Sequence, residues 1–486
     1  MITIFFRNIN INYLLIFAFA IIYIVLFNNN SETDSYAFAT SVKTGKNLLY
    51  PHHLIYCLPA RSVILLLNQL GIYADALLIL KNINGIAAVF CLFFLYKILK
   101  LNKSENTIQY IVFAGSCFGF ARFATEGEAY ILPIMFSLIS TFYFLFFLIE
   151  KSKKFLLLSG LTFGISILFH QIHIFWFIGF FIVLFWGLKK IKTSLLFATP
   201  CVTLVLAFYY YASQNVGINF FKYIFYDYYS GSAKAAIGIN NFLMTPISIV
   251  RTVFQVHGYI GFLIKKNILI IPISVALASL AMYFFYKIII TSKSLIKENK
   301  LFSNALLIAF VFQLLFAFFS VGNAEFMVML PFLAAIWLDL KFKFKKSLLL
   351  YFSIIIFLWN LIFGLIPLHF LDIDGSKKLF SIAKNNKNKF WLFENRQKME
   401  NISEYYSDTI LHAKIIRLDS VNSKSIKEKT EYIFTDYFNL NSNLNRRNFL
   451  FKNDSIYAKF SKYQRKAVDS IEFSLGKKYI YKVSLK

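Results

Sequence analysis

A polar stretch at residues 28–56 carries the side chains best suited to chemistry in this chain. It opens with three asparagines, contains Glu32 and Asp34, and closes with a Tyr-Pro-His-His sequence that includes His52 and His53. A carboxylate held near a substrate hydroxyl can accept its proton as a general base. We therefore predict that Asp34 is a catalytic base at the outer face of a membrane. The alternative is that Asp34 only forms the N-cap of a following helix.

The other acidic residues before residue 370 fall into two groups. Those predicted on the outer side of a membrane are Glu32, Asp34, Asp75, Glu126, Glu128, Asp227 and Glu325. Those predicted on the inner side, beside lysine clusters, are Glu105, Glu150, Glu298 and Asp339. Charged groups near the hydrocarbon region are costly and tend to face a cavity. The outer carboxylates at span ends therefore predict one extracytoplasmic cavity, although solvated span-end charges are the alternative.

Cationic and imidazole side chains are predicted at the same level as these outer carboxylates. They are Arg122, His52, His53 and His170. Such a site suits attack by a hydroxyl with departure of a phosphate, because the carboxylate takes the proton and the cation stabilises the leaving group. Structural roles stay open: Arg122 could pair with Glu126 one helical turn on, and His170 could be held in a packed turn. Lys81 could reach the phosphate or the interface.

The composition places the chain in the membrane. It is 58% hydrophobic and 15% charged, whereas a soluble chain has about 25% charged residues. Several apolar runs of about 17 residues or more are long enough to cross the hydrocarbon region as helices. The formal net charge is +27, but the lysines form short clusters between apolar runs, which is typical of cytoplasmic loops. We therefore predict a mainly α, polytopic membrane protein that binds membrane lipids and no nucleic acid.

The alternation of apolar runs and lysine clusters predicts about eleven spans. They are residues 11–27, 76–96, 107–124, 131–149, 155–169, 174–188, 195–212, 268–290, 304–321, 326–340 and 347–367. Residues 54–71 and 242–263 are predicted to lie along the interface. This arrangement places the N-terminus in the cytoplasm and the C-terminus outside. Residues 1–368 then form a transmembrane catalytic domain, and residues 369–486 a small extracytoplasmic α/β domain with strands toward its end.

Four short motifs that contain the candidate residues follow one another along the chain. They are Glu32-Thr-Asp34-Ser-Tyr36 after the first span, Gly45 followed by Tyr50-Pro51-His52-His53, Glu126-Gly-Glu128-Ala-Tyr130 between the third and fourth spans, and Asn323-Ala-Glu325 before Pro331. In residues 1–370 this order resembles the GT-C superfamily of polytopic membrane glycosyltransferases, which includes protein O-mannosyltransferases and lipid A aminoarabinose transferases. The resemblance implies a GT-C-like fold.

The resemblance also implies an activity and its site. It implies inverting transfer of a sugar from a polyprenyl-phosphate-linked donor to a lipid, glycan or protein hydroxyl, with Asp34 as the base. Substrate would be bound by His52, His53, Arg122, Glu126, Glu128, His170 and Glu325. Some relatives need a divalent cation and others do not, so the cofactor stays open, with Glu126 or Glu128 as a potential ligand. An envelope polysaccharide polymerase or ligase and a lipid-linked-sugar transporter or flippase are the alternatives. A bacterial inner membrane is the expected location.

Overall fold

Helices make up most of the chain. A computed structural model describes residues 11–187, 190–225, 237–256, 259–295, 299–417, 432–436, 464–474 and 476–484. The α-helices up to residue 216 are α1 (Ile11–Val25), α2 (Thr33–Thr44), α3 (Cys57–Gln69), α4 (Ala76–Leu101), α5 (Thr107–Ser116), α6 (Phe118–Ala124), α7 (Ile131–Glu150), α8 (Lys153–Phe169), α9 (Ile174–Ile182) and α10 (Ile191–Val216). Those up to residue 370 are α11 (Phe220–Ile224), α12 (Ile239–Val253), α13 (Tyr259–Lys266), α14 (Ile270–Thr291), α15 (Lys300–Phe319), α16 (Leu330–Lys341), α17 (Lys346–Asn360) and α18 (Ile366–Phe370).

Among the described residues, six helical segments are long and apolar enough to cross a membrane. They are α4, α7, α10, α14, α15 and the continuous run Lys346–Phe370, in which a π-helical turn joins α17 to α18. The predicted spans near the N-terminus and at residues 174–188 form shorter apolar helices, Ile11–Val25 and Gln171–Gly187. These helices are therefore shorter than a single helix that crosses a bilayer needs to be. The arrangement of eleven spans stays a prediction.

The predicted span at residues 107–124 is divided into two helices. The backbone is extended at Cys117, between α5 and α6. Two side chains from distant helices accompany this break: Asn360 Nδ2 donates to the carbonyl of Ser116 at 2.7 Å, and the hydroxyl of Tyr23 donates to the carbonyl of Gly115 at 2.6 Å. Irregular backbone at membrane depth is tolerated where protein groups satisfy it. These side chains therefore permit the break that precedes Arg122.

The long helix α4 joins two polar ends of the molecule. Its 26 residues extend about 39 Å. Lys81, near its start, lies at the end that carries the predicted outer carboxylates. At the other end, Lys343 Nζ lies 3.3 Å from Glu105 Oε1, and Asp339 accepts a hydrogen bond from the neighbouring loop. The predicted inner carboxylates Glu105 and Asp339 therefore lie away from the outer group, whereas Glu298 lies outside the described residues.

The described part of the C-terminal region combines helices with a sheet. Its helices are α19 (Ser376–Asn385), α20 (Arg396–Tyr405) and α21 (Thr409–Lys414). Two short strands of the earlier part of the chain, β1 (Lys293–Ser294) and β2 (Phe342–Lys343), pair with each other. The strands of the C-terminal region are β3 (Trp391–Leu392), β4 (Tyr432–Thr435), β5 (Arg465–Phe473) and β6 (Gly476–Ser484). The described strands of this sheet have the order β3-β4-β6-β5; the pair β3–β4 is parallel, and the pairs β4–β6 and β5–β6 are antiparallel. Strands thus occur where the sequence predicts them; a separate extracytoplasmic domain stays a prediction.

Asn360→Leu tests the support of the broken helix. The substitution removes the amide that donates to the carbonyls of Ser116 and Val253, both at 2.7 Å. Each buried carbonyl left unpaired costs about 1–3 kcal/mol, so the thermal unfolding midpoint of the purified protein in detergent should fall. Asn82→Leu is the matched control, because the Asn82 amide donates to Leu78 within its own helix. Equal midpoints for the two variants would contradict this account.

Candidate active site

Asp34 lies in the first turn of α2, at the end of the molecule that carries the outer carboxylates. The N-cap position is occupied by Glu32, so the alternative that Asp34 caps the helix is wrong. A carboxylate in the first turn is favoured by the helix dipole without serving as a cap. The Asp34 side chain is exposed. It is therefore accessible to a reacting molecule.

Contacts at both ends hold α2 in place. At its C-terminal end, Arg61 of α3 donates to the carbonyls of Val42 and Lys43, both at 3.0 Å. At its N-terminal end, Asn401 of α20 donates to the carbonyl of Thr33 at 3.0 Å. Both ends of α2 therefore receive donors from other helices, one nearby in the sequence and one far from it. The helix that carries Asp34 is fixed by both the membrane region and the C-terminal region.

Two carboxylates of the loop between α6 and α7 are bound to the turn beside Asp34. Glu126 is 0% exposed, and its Oε1 accepts from the Ser35 hydroxyl at 2.9 Å and from the Gly127 amide at 3.0 Å. Its Oε2 accepts from the amide of Asn28. The same Ser35 hydroxyl lies 3.0 Å from Glu128 Oε1. The loop and the first turn of α2 therefore share one network of hydrogen bonds.

Arg122 forms an ion pair within this group, although with a partner that the sequence did not indicate. Its Nη2 lies 2.6 Å from Glu32 Oε1. The predicted local alternative, a pair with Glu126 one helical turn on, is replaced by this longer-range pair, because Glu126 faces Asn28 and Ser35 instead. The pair brings the end of α6 to the start of α2.

Asp34 differs from the carboxylates around it in its bonding. Glu32 is bound by Arg122, and Glu325 accepts from the hydroxyl of Tyr130 at 3.0 Å. Glu126 and Glu128 are bound as described above. No residue that the structure describes donates a hydrogen bond to the carboxylate of Asp34. Both oxygens of Asp34 can therefore accept from another molecule, whereas each neighbouring carboxylate has at least one oxygen bound to the protein.

The electrostatic environment favours the protonated form of Asp34. Asp34 is exposed at the surface, but protein atoms displace much of the water around its carboxylate. This desolvation, with the charges of Glu325 and Glu32, raises the pKa of Asp34 to about 6. Burial, together with the charge of Asp34, also raises the pKa of Glu128. Like charges disfavour each other's ionisation at short range. Asp34, Glu128 and Glu325 are therefore close enough for their charges to interact, and a shared substrate site stays a prediction.

The predicted histidines lie on the side of Tyr130. The rings of His53 and His170 are 4.3 Å apart, and the ring of Tyr130 is 5.3 Å from that of His170. Burial and the charge of His52 lower the pKa of His53 to about 3, and burial and the charge of His53 lower the pKa of His170 well below its usual range. Both rings are therefore neutral at pH 7. His52 donates to the amide oxygen of Gln171 at 2.9 Å.

Two of the histidine nitrogens are available within this part of the chain. His53 Nδ1 and His170 Nε2 are buried and have no hydrogen-bond partner among the described residues. A neutral imidazole offers one donor and one acceptor. Because Tyr130 also binds Glu325, the histidines are connected to the carboxylate group through one aromatic residue.

The sequence missed several residues that build the site. They are Asn28, Ser35 and Asn84, whose amide donates to the carbonyls of Glu126 and Glu128 at 2.6 and 2.7 Å. The run of three asparagines was a visible signal for Asn28, and proximity to Asp34 was one for Ser35. Asn84 gave only the weak signal of an amide inside an apolar helix. Asp227, predicted on the outer side, lies outside the described residues.

A metal site does not emerge from these carboxylates. Within the described ranges, no three His, Cys, Asp or Glu side chains are placed to hold a metal ion. Both oxygens of Glu126 accept hydrogen bonds from Asn28, Ser35 and Gly127, and a cation would compete with those donors. Among the described residues, Glu126 therefore has no free oxygen to offer a divalent cation.

Comparisons with known proteins identify the fold. No protein-family model matches the chain, and no curated protein matches its sequence. The crystal structure of ArnT from Cupriavidus metallidurans bound to undecaprenyl phosphate matches with a TM-score of 0.53 and 8% identity, over 97% of both chains.

Two further structures match less well. The Archaeoglobus fulgidus oligosaccharyltransferase matches with a TM-score of 0.43 and 10% identity, over 87% of this chain and 69% of that one. The S. cerevisiae protein O-mannosyltransferase Pmt1-Pmt2 complex bound to the sugar donor matches with a TM-score of 0.35 and 12% identity, over 43% of this chain. The match spans only 35% of that protein's chain. The similarity to ArnT concerns nearly the whole of both chains and shows that the two proteins share a fold. Together with the apolar helices, it supports an integral membrane protein.

Proposed function

We propose that the protein is an inverting glycosyltransferase. It moves a sugar from a polyprenyl-phosphate-linked donor to an acceptor hydroxyl at the extracytoplasmic face of the membrane. One observation carries this proposal: the carboxylate of Asp34 is accessible and accepts no hydrogen bond from the described residues, whereas its neighbours are bound by protein donors. The fold shared with ArnT, which was bound to undecaprenyl phosphate, supports the class of donor.

The proposed reaction is a single displacement. Asp34 accepts the proton of the acceptor hydroxyl while that oxygen forms a bond to the anomeric carbon of the sugar. The bond between the anomeric carbon and the phosphate oxygen breaks on the opposite face. The polyprenyl phosphate leaves with the bonding electrons, and the anomeric configuration inverts. Asp34 then returns its proton to the solvent.

The raised pKa of Asp34 suits this role. A general base works best when its pKa lies close to the working pH. A pKa of about 6 leaves the carboxylate largely ionised at pH 7 and makes it more basic than an ordinary aspartate. Glu325 and Glu32, which contribute to the shift, therefore support the base without touching the acceptor.

Cations near the carboxylates are assigned to the leaving phosphate. Arg122 has five N–H donors, and Glu32 engages Nη2. Lys81 is buried and donates to the carbonyl of Asn28, which leaves two of its three hydrogens. Donors of this kind stabilise the charge that develops on a departing phosphate.

The remaining predicted residues are assigned to the sugar. These residues lie at the same end of the molecule as Tyr130 and Asp34 and are connected to them directly or through one another. They are Glu128, Glu325, His52, His53 and His170. The buried nitrogens of His53 and His170 would each bond a sugar hydroxyl. Neutral imidazoles and carboxylates together provide the donors and acceptors that hydroxyl groups need.

The transporter alternative differs in where its charges should lie. A proton-coupled transporter or flippase needs ionisable groups along a path through the membrane. In the described part of the chain, the outer carboxylates gather in one group, and Glu105 and Asp339 lie at the opposite end. A polysaccharide polymerase or ligase would use the same leaving group, so only the acceptor distinguishes it from the proposed function.

Asp34→Asn should abolish most of the transfer. Removing a general base lowers the rate by about 10²–10⁴-fold, measured as transfer of radiolabelled sugar from a polyprenyl-phosphate donor to a membrane acceptor. Asp75→Asn is the matched control: this outer carboxylate accepts from the amide of Leu78 at the start of α4, and asparagine caps a helix equally well. Transfer by Asp34→Asn at the control rate, from protein whose unfolding midpoint is no lower than that of the parent, would remove Asp34 as the base.

The pH dependence of kcat/KM should carry an acid limb near pH 6. Activity falls as pH drops through the pKa of Asp34, because the base becomes protonated in the free enzyme. In Glu325→Gln one neighbouring negative charge is lost while an oxygen remains for Tyr130, so the limb should move to lower pH. Glu105→Gln, at the far end of the molecule, is the control that should leave it in place. A limb unmoved by Glu325→Gln would contradict the shared site.

Asp34→Asn should also stabilise the protein in a pH-dependent way. The folded-state pKa of Asp34 lies above the ordinary value of 3.8, so the folded state disfavours the ionised form. Well below that ordinary value both states are protonated and the substitution has little effect, whereas above pH 6 it removes an unfavourable charge. The gain in unfolding midpoint should therefore be larger at pH 8 than at pH 4.5. An unfolding midpoint of Asp34→Asn at pH 8 that lies below that of the parent protein would overturn this expectation.

A further inference from the structure

Asn28 uses all of its polar groups at the junction between α1 and α2. It is 1% exposed. Its backbone amide donates to the carbonyl of Thr125 at 2.9 Å, and its carbonyl accepts from Lys81 Nζ. Its side-chain oxygen accepts from the amide of Asn30 at 2.8 Å, and its side-chain nitrogen donates to Glu126 Oε2. One residue thus joins the first helix to α4 and to the loop after α6.

The orientation of the Asn28 side chain is fixed by these partners. Because its oxygen accepts from the Asn30 amide, the NH2 group must face Glu126. Rotating the side-chain amide by half a turn would place its NH2 group against the N–H donor of Asn30. It would also place its oxygen against the carboxylate oxygen of Glu126, so neither hydrogen bond could form. The sequence position therefore demands an amide, with a donor on one side and an acceptor on the other.

Glu126 transmits this constraint to the helix that carries Asp34. Its other oxygen accepts from the Ser35 hydroxyl at 2.9 Å, and Ser35 is fully buried and directly follows Asp34. A buried carboxylate is stable only while its donors remain in place. The position of the first turn of α2 is thus connected to Asn28 through a single carboxylate.

The two following asparagines connect the same junction to the beginning of the C-terminal region. Asn29 donates from its side chain to the carbonyl of His369, and Asn30 donates to the carbonyls of Leu368 and Leu371, both at 2.8 Å. The side-chain oxygen of Asn30 accepts from the backbone amide of residue 373 at 2.7 Å. The backbone that carries Asn28 is therefore held from a second direction.

We propose that Asn28 and Glu126 form a positioning pair for the base. The pair touches neither donor nor acceptor and acts by fixing Ser35 and, through it, Asp34. This inference rests on the proposed function, because it assigns the pair to the reaction in which Asp34 takes the proton. It gives Glu126 a role behind the substrate rather than against it.

An exchange of the two side-chain types tests the pair. In Asn28→Asp, two carboxylates face each other; in Glu126→Gln, two NH2 groups do. The double variant Asn28→Asp with Glu126→Gln restores one donor facing one acceptor and keeps the total charge of the parent. It also leaves the side-chain oxygen at position 126 free to accept from Ser35. Asn386→Asp, on an exposed residue of the C-terminal region, controls for the chemical change itself.

Each single variant should lose about 10²-fold in kcat, because a displaced base loses its alignment. The KM for the polyprenyl-phosphate-linked sugar should change little. The double variant should recover most of the lost kcat, and Asn386→Asp should match the parent. Rates are expressed per folded protein, with the unfolding midpoint in detergent measured for each variant. Should Asn28→Asp not fold, the comparison of the double variant with Glu126→Gln decides the matter.

Two results would overturn the pair. A double variant no more active than Glu126→Gln would show that the carboxylate of Glu126 is itself required. Single variants with parental kcat would show that the pair does not position the base. Failure of the proposed function is distinct: the unmutated chain would then transfer no sugar, and the assignment of the pair would fall with it.

Discussion

The hydrogen bonds around the buried carboxylate of Glu126 are the interaction on which the end of the molecule that carries Asp34 depends. A charge without solvent contact is costly unless donors surround it, and here the donors come from the end of α1, the first turn of α2 and the backbone of its own loop. Asn84 of α4 completes the loop by binding its carbonyls. Each of these four segments is therefore stabilised by hydrogen bonds that require the other segments to be in place.

The carboxylates of this group differ in whether the described residues bind them. Glu32 and Glu325 are bound to Arg122 and Tyr130, which brings their charges close to Asp34 without covering it. The proposed base is thus the carboxylate that the described residues leave unbound, while its pKa is raised by carboxylates that those residues do bind. Such a division between bound and unbound carboxylates is a common way for one site to give similar side chains different roles.

Sequence reasoning could predict the class of fold because long apolar runs and lysine clusters are local signals. The order of motifs also predicted a GT-C-like fold, and the chain shares the fold of ArnT. The break at Cys117 could not be predicted, since it is accompanied by a hydrogen bond from Asn360, 244 residues further on than its partner Ser116. The partner of Arg122 was missed for the same reason, because Glu32 lies 90 residues away and the nearer Glu126 offered a plausible local pair. Local patterns identify which residues are polar, but not which of them remain unbound.

The contact between α20 and α2 has a consequence for the timing of synthesis. Asn401 binds Thr33 across 368 residues of sequence, and Tyr405 of the same helix lies against Tyr36 of α2. A ribosome that adds about 5–20 residues per second needs about 20–70 s to make the intervening chain. During that interval the face of α2 that α20 will cover is still uncovered, and Thr33 lacks its donor. The nascent chain therefore enters the membrane before α20 can cover α2, and the candidate site is complete only after the C-terminal helices have been made.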